Sequence, residues 1–511
     1  MILSDIFKRN AKRYPQKTGV VFRSKRFSFD EFNQRINSLA NAFISLGMQK
    51  QDKVAIILDN CHQYVELYCA LPRGGGVAVP LNTSLSPSEM AYIINNAEAK
   101  ILVFGERFAP TIDSLRSELS SVETLIGVGT SAHGAKDYEQ IVADSPSTEP
   151  EVDLEEDDIA YLLYSSGTTG LPKGIMVTHR SMIESAVNYV LGCDLRHEDI
   201  GLIVTPLFWG APPIVIVMPQ LYVGGTLIIT DDFSPETVLG LIQGEKVSTS
   251  IMTPPMIMAL LEHPQLSSYD TSSLRHVWFG GVPMPVESLK RAIKTVGNVF
   301  FQVYGMIELT PMAITVPKEQ VIEGPPEKVK RLASCGREPA NVETRVVNDD
   351  GKDVAPGEVG EVIARGDNLM KGYWRMPQAT EEALRDGYLH TGDLATMDED
   401  GYLYLVGRKK DLIASGGRTI YPAEIEEVIY QHPGVIEAAV IGVPDERLGE
   451  SIKAIIVIRK GGKVTEEEII EFCRLRLPDY AHPKSVAFVE KLPRNPSGKI
   501  LRKTLQEKYQ S

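Results

Sequence analysis

The sequence predicts an α/β protein that gives way to short-strand β structure and ends in a compact α+β domain. Three observations predict it. Up to residue 304, apolar runs of strand length alternate with helical periodicities, the pattern of parallel sheets with helices on their faces. From Glu343 the style changes to short strands and turns, among them the hairpin signal Asn348-Asp349-Asp350-Gly351. Beyond the charged run Gly407-Arg408-Lys409-Lys410-Asp411, helix and strand alternate again over about 100 residues, enough for one small domain.

Taken in order, residues 28–47 read as an amphipathic helix. Phe32, Ile36, Leu39, Phe43 and Leu46 recur at three- and four-residue intervals, and Gly47 ends it. A strand over 53–58, a helix through 64–68 and a strand over 76–80 follow. Ser86 is placed to cap the next helix, with Pro87 at its first position and its end near Asn96. A strand over 100–104 continues the alternation. Residues 159–164 and 175–178 read as strands, 180–191 as a helix. His179, at the strand end, reads as a hydrogen-bonded structural histidine rather than a catalyst. Strands over 274–279 and 298–304 flank a helix over 285–296, and both run into glycine-containing turns. In doubly wound sheets, ligands sit at such carboxyl ends. A strand over 359–364 and the segment 370–374 belong to a section read as a small β-barrel, about 335–407. The run 408–411 reads as the boundary. Beyond it, helices over 421–431 and 465–475 alternate with strands over 435–443, 452–458 and 485–489.

At 511 residues, with 43% apolar and 23% charged side chains, the chain is expected to be soluble and globular, with ~three domains. Its 53 basic and 67 acidic residues give −14, which argues against a general nucleic-acid binder. The five cysteines form no C-x-x-C pair and are odd in number, so they read as reduced, buried and cytoplasmic. The N-terminus turns charged too early for a signal peptide. Gly201 to Thr230 carries no charged side chain and is long enough to span a bilayer. Pro206, Pro212, Pro213 and Pro219 interrupt it, so a buried helix-plus-strand segment beside a dry pocket is predicted, not a membrane span.

The most informative stretch is Ser165-Ser166-Gly167-Thr168-Thr169-Gly170-Leu171-Pro172-Lys173-Gly174. Glycines let backbone N–H groups approach a ligand, hydroxyls line the concavity, and a lysine adds a point charge. This is the chemistry of a polyphosphate cradle. It is not the common P-loop, because Pro172 precedes Lys173 and a strand, not a helix, follows. The string resembles the phosphate loop of the adenylate-forming superfamily, which includes acyl-CoA synthetases, firefly-type luciferases and peptide-synthetase adenylation domains. The resemblance extends, in the family's order, over nearly the whole chain. It implies two doubly wound α/β subdomains plus the small β-barrel within residues 1–407, a hinge at 408–411 and a small mobile C-terminal domain, 412–511.

Tyr304-Gly305-Met306-Ile307-Glu308 resembles the family's Tyr-Gly-x-Thr-Glu. The resemblance implies that Tyr304 stacks on adenine, with Gln302, Gly305 and Met306 beside it, and that Glu308 holds Mg²⁺ near Thr169. One hard cation bridging phosphates and one carboxylate suits magnesium. Ile307 departs from the pattern, so one hydroxyl near the α-phosphate is missing. Gly281-Val282-Pro283 resembles the turn along the adenine, Asp393 the ribose-binding carboxylate, and Arg408 an arginine reaching ribose or phosphate. Lys410 falls at the hinge, where exposed residues absorb dihedral change. Pro493-Arg494-Asn495-Pro496-Ser497-Gly498-Lys499 resembles the motif bearing the catalytic lysine, here Lys499. Ser415-Gly416-Gly417 resembles the turn lining a pantetheine tunnel, and Arg418 stands where a CoA phosphate would pass.

The implied reaction is carboxylate–CoA ligation through an acyl-adenylate, using ATP, Mg²⁺ and coenzyme A and forming AMP and pyrophosphate. The acid pocket is expected around Phe208, Trp209, Gly210, Gly280, Gly305 and Met306. No cationic side chain occurs there, which points to a mid-sized apolar acid, either a ring carboxylate or a medium-chain fatty acid. The alternative is a stand-alone adenylation module that loads a carrier protein. Light-producing oxidation and a silent ATP sensor are further readings. A monomer or homodimer without an integral membrane segment is expected.

Overall fold

The computed structural model describes the chain except residues 166–171, 283, 460, 495–499 and 510–511, and the side chain of His133. Two eight-stranded sheets dominate it. In the first, the strands Ile159–Tyr164, Val77–Pro80, Lys53–Ile57, Ala99–Gly105, Thr124–Val128 and Lys136–Asp137 lie side by side and parallel. Gly174–Thr178 turns back antiparallel on Ile159–Tyr164. The second sheet has a parallel interior: Phe300–Met306, His276–Gly280, Thr249–Ile251, Ile200–Ile203, Thr226–Ile229 and Thr18–Phe22. Antiparallel strands close both of its edges: Leu309–Ile314 at one and Lys25–Ser28 at the other.

Helix boundaries follow local chemistry. Ser28 caps Phe29–Ser45 through a reciprocal pair with Glu31, and Ser86 does the same with Glu89 for Pro87–Ala97. The helix His179–Cys193 is capped by Thr178. One apolar core fills the space between the two sheets, from Phe32 and Tyr68 to Tyr189 and Trp278. Two further cores lie under the outer helices. His179 is the structural histidine expected. It is buried, accepts the Leu3 N–H at 3.2 Å, and burial lowers its pKa to about 4.

The uncharged stretch 201–230 lies inside the second subdomain. It supplies the strand Ile200–Ile203, a helical run from Pro213 to Val223 and the strand Thr226–Ile229. The leading strand was not expected. No helix among the described residues is long and apolar enough to cross a membrane. All five cysteines are free.

The short-strand section is a five-stranded antiparallel sheet with the form of a half-barrel: Val342–Val347, Gly360–Gly366, Tyr388–Met397, Leu384–Arg385 and Leu403–Arg408. The 370–374 segment, expected in this section, instead leaves it. Its strand Gly372–Tyr373 adds to the first sheet beside Gly174–Thr178. That excursion brings Tyr373 to the site described below. A fourth sheet, built on the long pair Val435–Asp445 and Gly449–Ile458, has a core of its own around Ile425, Val440 and Ile456.

Candidate active site

The site is assembled where strands of both large sheets and the half-barrel end. Gly174–Thr178 and Ile159–Tyr164 form a hairpin whose loop bears the Ser/Thr/Gly-rich string. The Ser165 N–H donates to the Lys173 carbonyl at 2.9 Å and closes its base. Ser166, Gly167, Thr168, Thr169 and Gly170 lie outside the described residues, as do Pro283 and Lys499.

Lys173 is described, and its ammonium lies 4.9 Å from the centre of the Tyr373 ring. The Tyr373 hydroxyl donates to Glu308 Oε1 at 2.9 Å. Glu308 is 7% exposed, and its backbone carbonyl accepts the Met370 N–H at 2.7 Å. A cation, a phenol and a buried carboxylate thus form one chain of contacts. Burial, then the adjacent Glu308 charge, push the Tyr373 phenol well above its usual range, so it stays a donor. Tyr373 was missed by the sequence reading. Its Lys371-Gly372-Tyr373-Trp374 setting reads as the end of a β section, and only the tertiary crossover to the first sheet reveals its place.

The second cluster centres on Asp393. Its Oδ2 accepts the Tyr304 hydroxyl at 2.9 Å, and its Oδ1 pairs with Arg408 Nε at 2.8 Å. Strand register explains the ion pair, because Asp393 stands opposite Arg408 on neighbouring half-barrel strands. Gly392, at φ +69, and the hydrogen bond from the Asp393 N–H to Thr391 Oγ1 set the bend that presents the carboxylate. Burial and then Asp393 raise the Tyr304 pKa, so this hydroxyl also remains protonated. Each carboxylate oxygen keeps lone-pair capacity for further donors.

Between the clusters run Gln302, Tyr304, Gly305 and Met306, on Phe300–Met306, and Gly280, Gly281 and Val282 at the end of the neighbouring parallel strand. Gly280 sits so close to Val303 that a Cβ there would meet its carbonyl oxygen at 2.3 Å. The segment is therefore kept flat against its neighbour. Phe208 and Trp209 meet edge to face, 6.5 Å between centroids, and both are half-buried. The Trp209 indole N–H is buried without an acceptor among the described residues. Ile307 lies against Gly210.

Lys410 lies in the short turn Lys409–Asp411 directly after Arg408, and burial, then Arg408, lower its pKa. Ser415, Gly416, Gly417 and Arg418 form the tight end of the hairpin Ile413–Ser415/Arg418–Ile420. Gly416 and Gly417 both have positive φ, +58 and +76. The Arg418 guanidinium stacks on Tyr480 at 4.9 Å.

Among the described residues no three His, Cys, Asp or Glu side chains gather into a metal cage. A cation here would rest on Glu308 and on oxygens brought by a ligand. That matches the habit of Mg²⁺, which binds through one or two carboxylates plus phosphates.

Comparison with known proteins places the chain in a family. The profile of the AMP-binding enzyme family matches residues 7–374, and that of the AMP-binding enzyme C-terminal domain matches 424–499. A feruloyl-CoA synthase of an Amycolatopsis species is 36% identical over 501 residues, covering 98% of each chain. The long-chain-fatty-acid–CoA ligase FadD13 of Mycobacterium tuberculosis is 35% identical, covering 95% of this chain and 93% of its own. Among solved structures, ATP-bound MatB from Rhodopseudomonas palustris superimposes with a TM-score of 0.90 at 29% identity, over 100% and 99% of the two chains.

Proposed function

The chain belongs to the AMP-binding enzyme family, and from that premise we propose that it is an ATP-dependent acid–CoA ligase working through an acyl-adenylate on a mid-sized apolar acid. The observation that carries the reading is the pair of clusters at the strand ends. Tyr304, Asp393 and Arg408 make a nucleoside-holding group, and Lys173, Tyr373 and Glu308 make a polyphosphate-holding one.

In this reading Asp393 accepts the ribose hydroxyls while Arg408 and Tyr304 fix its orientation. Tyr304, Gly281 and Val282 border the adenine. Ser165, Lys173 and the loop residues 166–170 receive the triphosphate, and Glu308 with Thr169 would hold Mg²⁺, which would supply charge neutralisation for the phosphates. A substrate carboxylate oxygen attacks the α-phosphorus, the bond to the bridging oxygen breaks, and pyrophosphate leaves. Such transfer needs positioning and a preorganised positive field more than covalent help, and Lys173 and Lys499 supply part of that field. The coenzyme A thiol then attacks the acyl carbon and AMP departs. Residues 408–411 act as the hinge between 1–407 and 412–511, with Lys410 turning the Ser415-Gly416-Gly417 face and Arg418 toward the thiol's path.

The acid pocket is read as Phe208, Trp209, Gly210, Gly280, Gly305 and Met306. Two aromatic walls and no cationic side chain favour a ring carboxylate or a medium-chain fatty acid. The test is a panel of acids, from acetate to aromatic, medium-chain and long-chain members, followed by pyrophosphate release and thioester formation. Turnover is expected to peak at ring or medium-chain acids and to yield free CoA thioesters. Preference for acetate or long-chain acids would overturn the pocket reading. Adenylation without thioester formation from free CoA would favour carrier-protein loading.

A further inference from the structure

We propose that Ile307 is a specificity-determining residue for the acid and that it acts through contact with Gly210. The inference rests on the reading that residues 208–210 border the acid pocket.

Met306 and Leu309 are register partners, so Ile307 and Glu308 are the two residues at the tip of a tight strand connection. The tip sends its side chains to different neighbours. Glu308 reaches the Tyr373 hydroxyl, on the polyphosphate side. Ile307 goes to Gly210. A Cβ at position 210 would meet Ile307 Cδ1 at 2.5 Å and Cγ1 at 2.7 Å. Position 210 therefore holds no side chain while Ile307 keeps its place. Ile307 is half-buried, as are Phe208, Val303 and Met306, and all four pack on the edge of the central core. An aliphatic side chain lacking any donor contributes nothing to a phosphate oxygen.

The departure from the family pattern at 307 thus has a physical consequence. The contact with Gly210 puts a methyl-bearing side chain beside the segment read as the acid pocket. Ile307 and Gly210 share one volume, so bulk at either position sets the room left for the substrate. In an apolar pocket each methylene is worth about 10–200-fold in discrimination.

The experiment measures kcat/KM for a series of ring and straight-chain acids, with KM for ATP alongside, in the unsubstituted protein and in I307A, I307T, G210A and the G210A/I307A double variant. I307A is expected to shift the ratio of a larger to a smaller acid by at least about tenfold, leaving KM for ATP within about threefold. G210A is expected to lower kcat/KM for the preferred acid at least about tenfold, and I307A in the same chain to recover most of that loss, the non-additivity of two residues in contact. A change in KM for ATP with unaltered acid ratios would overturn the inference alone, as would G210A losses that I307A leaves untouched. I307A reads out the ratio without G210A should the glycine variant fail to fold. No turnover of any acid by the unsubstituted protein would overturn the ligase reading and this inference with it.

Discussion

Tyr373 shows how one side chain can tie two roles together. Its ring receives the Lys173 ammonium and its hydroxyl donates to the buried Glu308 carboxylate. A hydrogen bond to a charged acceptor contributes about 1.5–3 kcal/mol, and leaving such an acceptor without its donor costs more than the average bond. Y373F is therefore expected to lower kcat/KM for Mg-ATP by about tenfold or more, while KM for the acid changes little. A steady-state comparison at several magnesium concentrations checks this. Equal effects on both substrates would show that the phenol merely supports packing. The residue-scale reading of the sequence was uneven for a physical reason. Asp393, Arg408, Tyr304 and Glu308 stand in local strings whose resemblance named them. Tyr373 enters from a two-residue strand, Gly372–Tyr373, that leaves the half-barrel for another sheet, and no local pattern encodes that jump.

Among elements, the segment proposed to border the acid is held by parts of the first subdomain. Asn60, just ahead of the helix His62–Arg73, donates to the Thr205 carbonyl at 3.0 Å and the Thr230 carbonyl at 3.1 Å, and its Oδ1 accepts the Leu207 N–H at 2.7 Å. From within that helix, the Tyr68 hydroxyl donates to the Leu207 carbonyl at 2.7 Å. Both backbone groups of Leu207 are thus fixed from across the core, directly before Phe208 and Trp209. N60A is expected to raise KM for the acid several-fold while KM for ATP stays within about twofold, since each lost buried bond costs about 1–3 kcal/mol at that segment. Parallel increases in both constants would mean a general loosening. Elements with local signals were legible. Ser86-Pro87-Ser88-Glu89 states a helix start, and Pro87–Ala97 begins there. The N-terminal hairpin Thr18–Ser28 was not, because its partner Thr226–Ile229 lies about 200 residues away and the pairing is non-local. The strand Leu309–Ile314 was hidden by Pro311, which a central strand would reject but this edge strand tolerates.

For the whole molecule, the α/β class, the change to short strands and the closing α+β unit follow from periodicity, because most strand and helix patterns are local even when their partners are not. The division into two large subdomains came with the family resemblance, and the expected small barrel is a half-barrel. What periodicity does not contain is the convergence of those strand ends. Strand ends from two large sheets and the half-barrel converge on one set of residues, and the short turn Lys409–Asp411 that leads to the C-terminal unit follows directly on Arg408 of that set. Within the C-terminal unit Arg502 pairs with Glu426 at 2.7 Å, and it reaches Asp411, next to Lys410, at 3.6 Å. In the proposed reaction a carboxylate attacks the α-phosphorus of ATP at this convergence. The direct measurement uses the preferred acid labelled with ¹⁸O in its carboxylate, turned over with ATP and coenzyme A, followed by mass spectrometry of the products. Attack at the α-phosphorus predicts one labelled oxygen in AMP and none in pyrophosphate. Label in inorganic phosphate with ADP as the nucleotide product would rule out attack at the α-phosphorus.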